Sequence, residues 1–398
     1  MTDLLTLDDL GDLDGKRVFV RVDFNVPISE DRKVLDDTRL REAEPTIREL
    51  TSAGAIVILA SHLGRPKGKP DPRYTLHPVA EHLPEVFATS VRFATDCVGP
   101  EVRDLIRSMD PGEIVLLENL RFHAEEEKNE PSFAGELAAL AEVYVDDAFG
   151  AAHRAHASIV GVPERLPKKA AGLLLSKEVE ALGRLLSEPD RPFAAILGGA
   201  KIEGKIDTLE NLLPRLDLLL LGGGMANTFL AAQGHDVGGS LYEPDRLDMA
   251  REILERAKRQ GLRVLLPTDV VVAKGLDDPA SAQTVRVDAI PAGMKALDVG
   301  PETRKAFAAA IAQAKTLFWN GPLGVFEKPP FDEGTSEVAK ALADCPGFSV
   351  IGGGETVAAA HRAGVTGRIG HVSTGGGASL ELLAGKTLPG VAVLERGR

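Results

Sequence analysis

Short apolar runs, each followed by a polar or glycine-rich segment, recur along the whole chain of 398 residues. In the first half, the runs that predict strands are Val18–Val22, Ala55–Ala60, Val91–Ala94, Ile114–Leu117 and Val143–Val145. Residues at helical spacing separate several of them, as in Thr38–Ala53 and Pro131–Ala141. Strands alternating with helices are typical of parallel βαβ units, and uninterrupted apolar runs are typical of strands buried on both faces. The first half therefore predicts a doubly wound parallel sheet.

The second half repeats this pattern, with more glycine in the loops. Its predicted strands are Phe193–Leu197, Leu216–Leu221, Leu262–Leu266, Thr316–Trp319, Phe348–Ile351 and His371–Ser373. Triplets of glycine follow two of these strands directly, at 222–224 and 352–354. We therefore predict an α/β protein with two doubly wound parallel-sheet, Rossmann-like domains joined by a helical hinge.

A chain of this length exceeds one ordinary hydrophobic core and suits two domains of about 150–200 residues. The segment Ala170–Leu186 has helical spacing and lies between the two blocks of strands. We predict an N-terminal domain at 1–170 and a C-terminal domain at 171–398, with 171–186 as the connecting helix. Residues 380–398 are a candidate for a tail that returns to the N-terminal domain.

Lysine and arginine total 46 and aspartate and glutamate total 59, so the formal net charge is −13. An acidic chain argues against partners such as nucleic acid or an anionic membrane, and no apolar run reaches the ~18 residues of a membrane-spanning helix. The two cysteines, Cys97 and Cys345, form no CxxC pair, which argues against a structural zinc site or a disulfide framework. Because the N-terminus lacks a signal-peptide core and the cysteines suit a reducing compartment, we expect a cytoplasmic protein. We also expect a monomer.

The predicted strand ends of the first half carry many cationic side chains. These are Arg21, Arg39, His62, Arg65, Arg121, His123, His153, Arg154 and His156. Ligands of α/β sheets bind at the carboxyl ends of the strands, and the arginine fork matches carboxylate and phosphate oxygens. Any one of these arginines alone fits a solvated surface residue equally well, but the set favours a pocket for a small, multiply negative ligand.

The glycine-rich loops of the second half predict a nucleotide, because such turns expose N–H groups to phosphate. The segment 199–206 fits the GxxxxGK pattern, but Ile206 stands where a P-loop needs Ser or Thr for magnesium, so we predict no P-loop. If 201–211 is helical, Lys201 and Lys205 share a face with Cβ atoms about 5–6 Å apart, an arrangement suited to phosphates. Two solvated surface lysines are the alternative.

Longer strings follow one another in a specific order. They are RVDFNVP at Arg21–Pro27, SHLGRP at Ser61–Pro66, ENLRFHAEE at Glu118–Glu126, DDAFGAAHRAHAS at Asp146–Ser158, LGGAKIEGKI at Leu197–Ile206, GGGMANTFL at Gly222–Leu230, WNGPLGVFE at Trp319–Glu327, GGGET at Gly352–Thr356 and STGGGASLELLAGKTLPG at Ser373–Gly390. On these strings the chain resembles the phosphoglycerate kinase family over essentially its whole length.

The resemblance implies a glycolytic phosphotransferase that exchanges ATP and 3-phosphoglycerate with ADP and 1,3-bisphosphoglycerate, with Mg²⁺ on the nucleotide. It implies that the acid substrate is held by Asp23, Phe24, Asn25, Arg39, His62, Leu63, Gly64, Arg65, Arg121 and Arg154. It implies that the nucleotide is held by Lys201, Lys205, Gly300, Asn320, Glu327, Gly353, Gly354, Glu355 and Thr356. The expected catalytic groups are Arg39 and Lys201 with the backbone of Gly375 and Gly376.

One position departs from the family pattern. Glu355 stands where the family usually has Asp, so the expected metal ligand has a longer arm. The acceptor is a carboxylate that is ionised at neutral pH, so no general base is required and catalysis rests on alignment and charge compensation. The alternatives are another small-molecule kinase and a two-lobed anion-binding protein that closes on its ligand without chemistry.

Overall fold

The computed structural model describes residues 3–397, which form two compact α/β units. One unit comprises Met1–Glu180 together with Thr387–Arg398, and the other comprises Ala181–Lys386. Within the described residues, each unit is built on a six-stranded parallel sheet, which confirms the predicted fold class. The boundary between the units lies inside a helix, Leu173–Leu186.

The sheet of the first unit places its strands in the order β3-β4-β2-β1-β5-β6. The strands are β1 (Arg17–Arg21), β2 (Ile56–Ala60), β3 (Val91–Phe93), β4 (Ile114–Leu116), β5 (Val143–Asp146) and β6 (Lys168–Ala171). The sequence predicted β1 to β5. It did not predict β6, because this edge strand begins with two lysines and only its last two residues are buried.

Helices cover this sheet, and their apolar residues follow the helical period. They are α1 (Thr38–Ser52), α2 (His77–Phe87), α3 (Pro100–Arg107), α4 (Ala124–Lys128), α5 (Pro131–Ala138) and α6 (Leu173–Leu186). In α1, the buried residues include Leu40, Ala43, Ile47 and Leu50, which lie on one face. That face packs into the same hydrophobic core as strands β1 and β2.

The parallel sheet of the second unit has the order β15-β14-β13-β7-β8-β9. Its strands are β7 (Phe193–Leu197), β8 (Leu218–Leu221), β9 (Arg263–Leu265), β13 (Thr316–Asn320), β14 (Phe348–Gly352) and β15 (His371–Val372). A second, antiparallel sheet of order β11-β10-β12 contains β10 (Asp269–Ala273), β11 (Gln283–Arg286) and β12 (Lys295–Val299). The sequence patterns did not predict this sheet: β11 is mostly exposed, and β12 mixes polar and apolar residues and is only partly buried. The apolar, mostly buried β10 was missed as well.

The helices of the second unit are α7 (Ile206–Leu212), α8 (Gly223–Ala232), α9 (Leu247–Gln260), α10 (Pro301–Ile311), α11 (Glu333–Asp344), α12 (Gly354–Arg362) and α13 (Gly377–Leu383). The conditional prediction of a helix over 201–211 is wrong at its start. Gly204 has φ of 83°, a left-handed conformation that a right-handed helix does not contain. Lys201 and Lys205 therefore precede α7 and do not share a helical face.

The last residues of the chain pack on the first unit through α14 (Pro389–Ala392). The N–H of Gly390 donates to the carbonyl of Ala152 at 2.8 Å, and the N–H of Leu5 donates to the carbonyl of Leu394 at 2.9 Å. Gly390 permits the close approach, because a Cβ there would lie 2.8 Å from Ile159. Among residues 3–397, no helix is long and apolar enough to cross a membrane.

Candidate functional site

In the first unit, Arg39 connects α1 with the loop that follows β1 by hydrogen bonds to two other predicted site residues. Arg39, near the start of α1, donates from Nη1 to Oδ2 of Asp23 at 2.9 Å and to the carbonyl of Asn25 at 3.2 Å. The side chain of Arg39 is 36% exposed and that of Asp23 is 13% exposed. The pair therefore orients the guanidinium and still leaves part of it accessible to a ligand.

Gly64 is held from both sides by two other predicted residues. Its N–H donates to Oδ1 of Asn25 at 2.9 Å, and its carbonyl accepts from Nη1 of Arg121 at 2.9 Å. Its φ is 59°, and a Cβ there would lie 2.4 Å from the ring of Tyr74. Only glycine fits this position, and its backbone connects the loops after β1, β2 and β4.

His62 is buried, and Nδ1 of its ring lies 3.2 Å from Nη2 of Arg21. Burial lowers the pKa of His62 well below its usual value, and the cations Arg21, Arg121 and Arg39 lower it further. The pKa of His156 is lowered to about 3 by burial and then by the charges of Arg21, Arg121 and Arg154. Both imidazoles are therefore neutral at neutral pH.

The sequence analysis named Arg21 among the cationic residues at the strand ends, but not among the residues expected to hold the acid substrate. Its guanidinium is buried, and Nε donates to Oγ of Ser158 at 2.8 Å. Ser158 in turn donates from Oγ to the buried carboxylate of Glu126 at 2.6 Å. The position of Arg21 at the last residue of a buried strand was the sequence feature that could have identified it.

The remaining predicted residues of this unit fall into two groups. Phe24 and Leu63 lie in the hydrophobic core, so their side chains support the loops from below, and only their backbone groups can face a ligand. Phe24 donates its N–H to Oγ of Ser61 at 2.8 Å. Arg65 and Arg154 are exposed.

In the second unit, several of the loop glycines pack against one another. A Cβ at Gly198 would lie 2.2 Å from the carbonyl oxygen of Pro322, and one at Gly223 would lie 2.7 Å from that of Gly199. The N–H groups of Gly199 and Gly223 donate to the carbonyls of Pro322 and Leu323 at 2.7 and 3.0 Å. The expectation that all these loops present N–H groups to phosphate is thus too broad, because neighbouring loops use several of these donors.

A cavity of about 310 Å³ lies beside these loops in the second unit. Glu327 and Glu355 of the predicted set line it. Most of its wall is apolar and was not predicted, including Leu241, Val270, Leu276, Leu297 and Val325. Residues of the unpredicted antiparallel sheet and its connections form much of this wall, which is why the sequence patterns did not reveal it.

The two lysines of the predicted nucleotide site differ in environment. Lys205 donates from Nζ to the carbonyl of Gly198 and, at 3.4 Å, to that of Asn320. Burial lowers the pKa of Lys205 to about 8, although the charge of Glu355 partly opposes this effect. Lys201, in contrast, is exposed to solvent.

Four further predicted residues lie at or just after the ends of β13 and β14. Asn320 is buried and donates from Nδ2 to the carbonyl of Gly352 at 2.8 Å. Thr356 accepts a hydrogen bond on Oγ1 from the N–H of Gly321 at 2.7 Å. Gly353 precedes α12 with φ of 91°, and Gly354 and Glu355 occupy the first turn of α12 and are exposed.

Gly300 precedes α10 and has no space for a side chain. A Cβ there would lie 2.3 Å from the carboxylate of Asp269. That carboxylate accepts from the N–H of Thr303 at 2.8 Å and from the N–H of Glu302 at 3.0 Å, so it caps α10 from another strand. Gly300 therefore allows the cap to form.

The two predicted catalytic glycines precede α13. The N–H of Gly375 donates to Oγ of Ser373 at 3.2 Å, so this donor already has a partner within its own loop. Gly376 has φ of 52° and is the N-cap residue of α13.

The chain is similar to known proteins over a stretch that includes the residues of both sites. The family model "Phosphoglycerate kinase" matches residues 7–386. The phosphoglycerate kinase of Desulforudis audaxviator is 56% identical over 384 residues, which cover 96% of the chain and 97% of that protein. The phosphoglycerate kinase of Moorella thermoacetica is 56% identical over 390 residues, which cover 98% of the chain and 98% of that protein. The chain belongs to the phosphoglycerate kinase family.

Solved structures agree with this assignment. Phosphoglycerate kinase from Coxiella burnetii is 41% identical with a TM-score of 0.90, and the enzyme from Pyrococcus horikoshii OT3 is 35% identical with a TM-score of 0.85. Each match covers 98% of both chains. As a phosphoglycerate kinase, the chain is a phosphotransferase with a carboxyl group as acceptor, and its reaction belongs to glycolysis.

Proposed function

We propose that the first unit binds 3-phosphoglycerate or 1,3-bisphosphoglycerate and that the second unit binds ATP or ADP. The observation that carries the proposal is the grouping of Arg21, Arg39 and Arg121 around the neutral His62 at one edge of a parallel sheet, in a chain of net charge −13. A multiply negative ligand compensates this local positive charge. The apolar cavity of the second unit suits a nucleotide base instead.

At the acid-substrate site, each group supplies a defined hydrogen bond. Arg39 is already oriented by Asp23 and offers its remaining N–H groups to substrate oxygens. His62 is neutral, and because Nδ1 faces Arg21, its Nε2–H donates. We assign the exposed Arg65 and Arg154 to the phosphate of the substrate, since arginine pairs with phosphate through two parallel hydrogen bonds.

At the nucleotide site, we assign the base to the wall formed by Leu241, Leu276 and Val325. Lys205 binds the nucleotide phosphates. Its present partners are backbone carbonyls. A hydrogen bond from Lys205 to a phosphate oxygen would be stronger than these, because the phosphate oxygen is charged. Gly353, Gly354 and Thr356 place the N-terminus of the nine-residue helix α12 toward the same phosphates.

Glu355 is the residue we assign to the nucleotide's Mg²⁺. Its carboxylate is exposed at the wall of the cavity, and hard oxygen ligands of this type fit magnesium, which also keeps several waters. When bound, the ion would reduce repulsion among phosphate oxygens. The residues of the chain position the nucleotide around it.

The chemical step that this set of residues supports needs no general base. The attacking carboxylate of 3-phosphoglycerate is ionised at neutral pH, so its alignment and the compensation of charge on the phosphoryl group account for catalysis. We assign Arg39 and Lys201 to the equatorial oxygens of the transferring phosphoryl group. Gly376 adds a backbone N–H, whereas Gly375 would have to release its bond to Ser373 first.

A coupled assay with ATP and 3-phosphoglycerate tests the proposal directly. Formation of 1,3-bisphosphoglycerate should depend on both substrates. Phosphorylation of a different acceptor would indicate another small-molecule kinase, and binding without turnover would indicate an anion-binding protein. We also propose that the chain acts as a monomer in the cytoplasm, which sedimentation of the purified protein and fractionation of cells would test.

A further inference from the structure

His123, Asp96 and Cys97 have no role in the two substrate sites. Among residues 3–397, they are the one group of three or more His, Cys, Asp or Glu side chains whose potential ligand atoms all lie within 4.8 Å of one another. Asp96 and Cys97 follow β3, and His123 follows β4, the neighbouring strand. Parallel strands place their carboxyl ends at one edge, which brings the three side chains together.

Existing contacts hold each ligand atom in place. Nε2 of His123 lies 2.7 Å from Oδ1 of Asp96, and Sγ of Cys97 donates to the carbonyl of Glu118 at 2.9 Å. The ring of His123 stacks on Phe133 with centroids 4.7 Å apart. The imidazole and the thiol therefore start close to the geometry of a ligand set.

We propose that Asp96, Cys97 and His123 form a three-ligand site for Zn²⁺, separate from the magnesium of the nucleotide. One sulfur, one nitrogen and one oxygen donor suit zinc, whereas magnesium and calcium prefer oxygen alone. Bonds of about 2.1–2.3 Å in a tetrahedron place ligand atoms about 3.4–3.7 Å apart. The atoms need to shift by only about an ångström from their present distances to reach this arrangement.

The fourth position belongs to water. Cys97 is fully buried, but the side chain of His123 is 26% exposed and that of Asp96 is 54% exposed. Asp96 also lines an open cavity of about 330 Å³, through which an ion can enter. Three protein ligands with an open position resemble the coordination of non-structural zinc sites.

Binding has a defined proton balance. Zinc replaces the thiol proton that Cys97 now donates to Glu118, and this proton leaves to solvent. Nε2 of His123 now faces the Asp96 carboxylate as a donor; to bind zinc through its lone pair it gives up this proton, Nδ1 takes one up so that the ring stays neutral, and Asp96 binds as a carboxylate. Cys97 and His123 lie 26 positions apart in sequence, on two different loops, so the absence of a CxxC pair does not bear on this site.

Titration of the nucleotide-free full chain with Co²⁺, followed by competition with Zn²⁺, tests the proposal. One equivalent of Co²⁺ should produce a thiolate-to-cobalt charge-transfer band that Zn²⁺ abolishes. Cys97→Ser should remove the band, and His123→Ala should weaken Zn²⁺ binding by at least tenfold in calorimetry. Cys345→Ser is the matched control, because Cys345 is the other buried free cysteine and lies in the second unit; it should change neither result.

Other outcomes would overturn the proposal. They are the absence of a band in the unmodified chain, a band that persists in Cys97→Ser, and a band lost in Cys345→Ser. The partly exposed His123 tolerates replacement more readily than the buried Cys97. If Cys97→Ser does not fold, an unchanged Zn²⁺ affinity of His123→Ala is by itself sufficient to reject the site.

Discussion

Nη2 of Arg21 lies 3.2 Å from Nδ1 of His62, and the guanidinium has only donors to offer. Nδ1 of the imidazole must therefore accept, which places the ring proton on Nε2. The lowered pKa of His62, caused first by burial and then by Arg21, keeps the ring neutral. A buried arginine thus leaves Nε2 of His62 as the nitrogen that can face the proposed acid substrate, and makes it a donor.

Arg21→Lys should therefore weaken the acid-substrate site more than it weakens turnover. Lysine keeps the charge but cannot serve Ser158, Val22 and His62 with one rigid fork. We expect KM for 3-phosphoglycerate to rise several-fold with kcat changed less, and nitrogen NMR of the imidazole to lose the Nε2–H tautomer. Arg17→Lys, at the other end of the same strand, is the control. A wild-type His62 protonated on Nδ1 would contradict the assignment.

Gly300→Ala should destabilise the second unit, because its Cβ would displace the Asp269 carboxylate that caps α10. Loss of a cap costs about 0.5–2 kcal/mol and overpacking about 1–3 kcal/mol, so we expect a loss of about 1–3 kcal/mol in urea unfolding. Gly354→Ala provides the contrast, since no atom lies within 4 Å of its Cβ position. The opposite ranking of the two variants would show that the cap is dispensable.

Lys201→Ala and Lys205→Ala should separate turnover from nucleotide binding. Lys205 is partly buried among strand-end carbonyls, so its removal should weaken ADP binding and also lower stability. The exposed Lys201 should leave ADP affinity and stability almost unchanged while reducing kcat. Calorimetric titration with ADP measures the first difference. Equal ADP affinities of the two variants would contradict the roles.

Glu355→Gln should raise the free Mg²⁺ concentration needed for half-maximal rate at least several-fold. It removes the charge and keeps the size, whereas Glu355→Asp keeps charge and oxygens and should retain most activity. Glu327→Gln, a neutralised carboxylate at the same cavity, is the matched control. Rates are measured against free Mg²⁺ at saturating ATP. An unshifted magnesium dependence of Glu355→Gln would leave Glu355 with a helix-capping role worth about 0.3–1 kcal/mol.

Burial raises the pKa of Asp298 to about 7, although hydrogen bonds from Gly334 and Val299 favour the charged form. The folded state then retains a proton that the unfolded state releases above about pH 4. This stabilisation is complete below about pH 4 and is lost as pH rises through 7. The wild type should therefore lose stability relative to Asp298→Asn between about pH 4 and 7 in urea unfolding, with little further change above the folded pKa. The exposed Asp248→Asn should show no such trend, and a flat difference for Asp298→Asn would mean that its carboxyl stays charged.

The pattern of apolar runs was sufficient for most of the fold. Runs such as Ile56–Ala60 and Phe193–Leu197 are buried on both faces of a sheet. A strand in that environment consists of consecutive apolar residues, a composition that is easily recognised in the sequence. The strands β6, β11 and β12, which are only partly buried, lack this composition and were missed; the apolar β10 was missed although it has it. The sequence strings around Asp23, Gly64 and Gly353 were specific enough to indicate the family without the tertiary structure.

By itself, the sequence determined the fold class, the family and which loops carry cations or glycines, because these depend on residues close together in the chain. Only the tertiary structure decided what each residue contacts. Gly198 and Gly223 proved to be required for contacts between loops, Arg21 proved to orient His62, and Asp269 proved to exclude a side chain at Gly300. Each of these contacts joins residues from different strands, and their distances follow from sheet order and packing, which no local pattern contains.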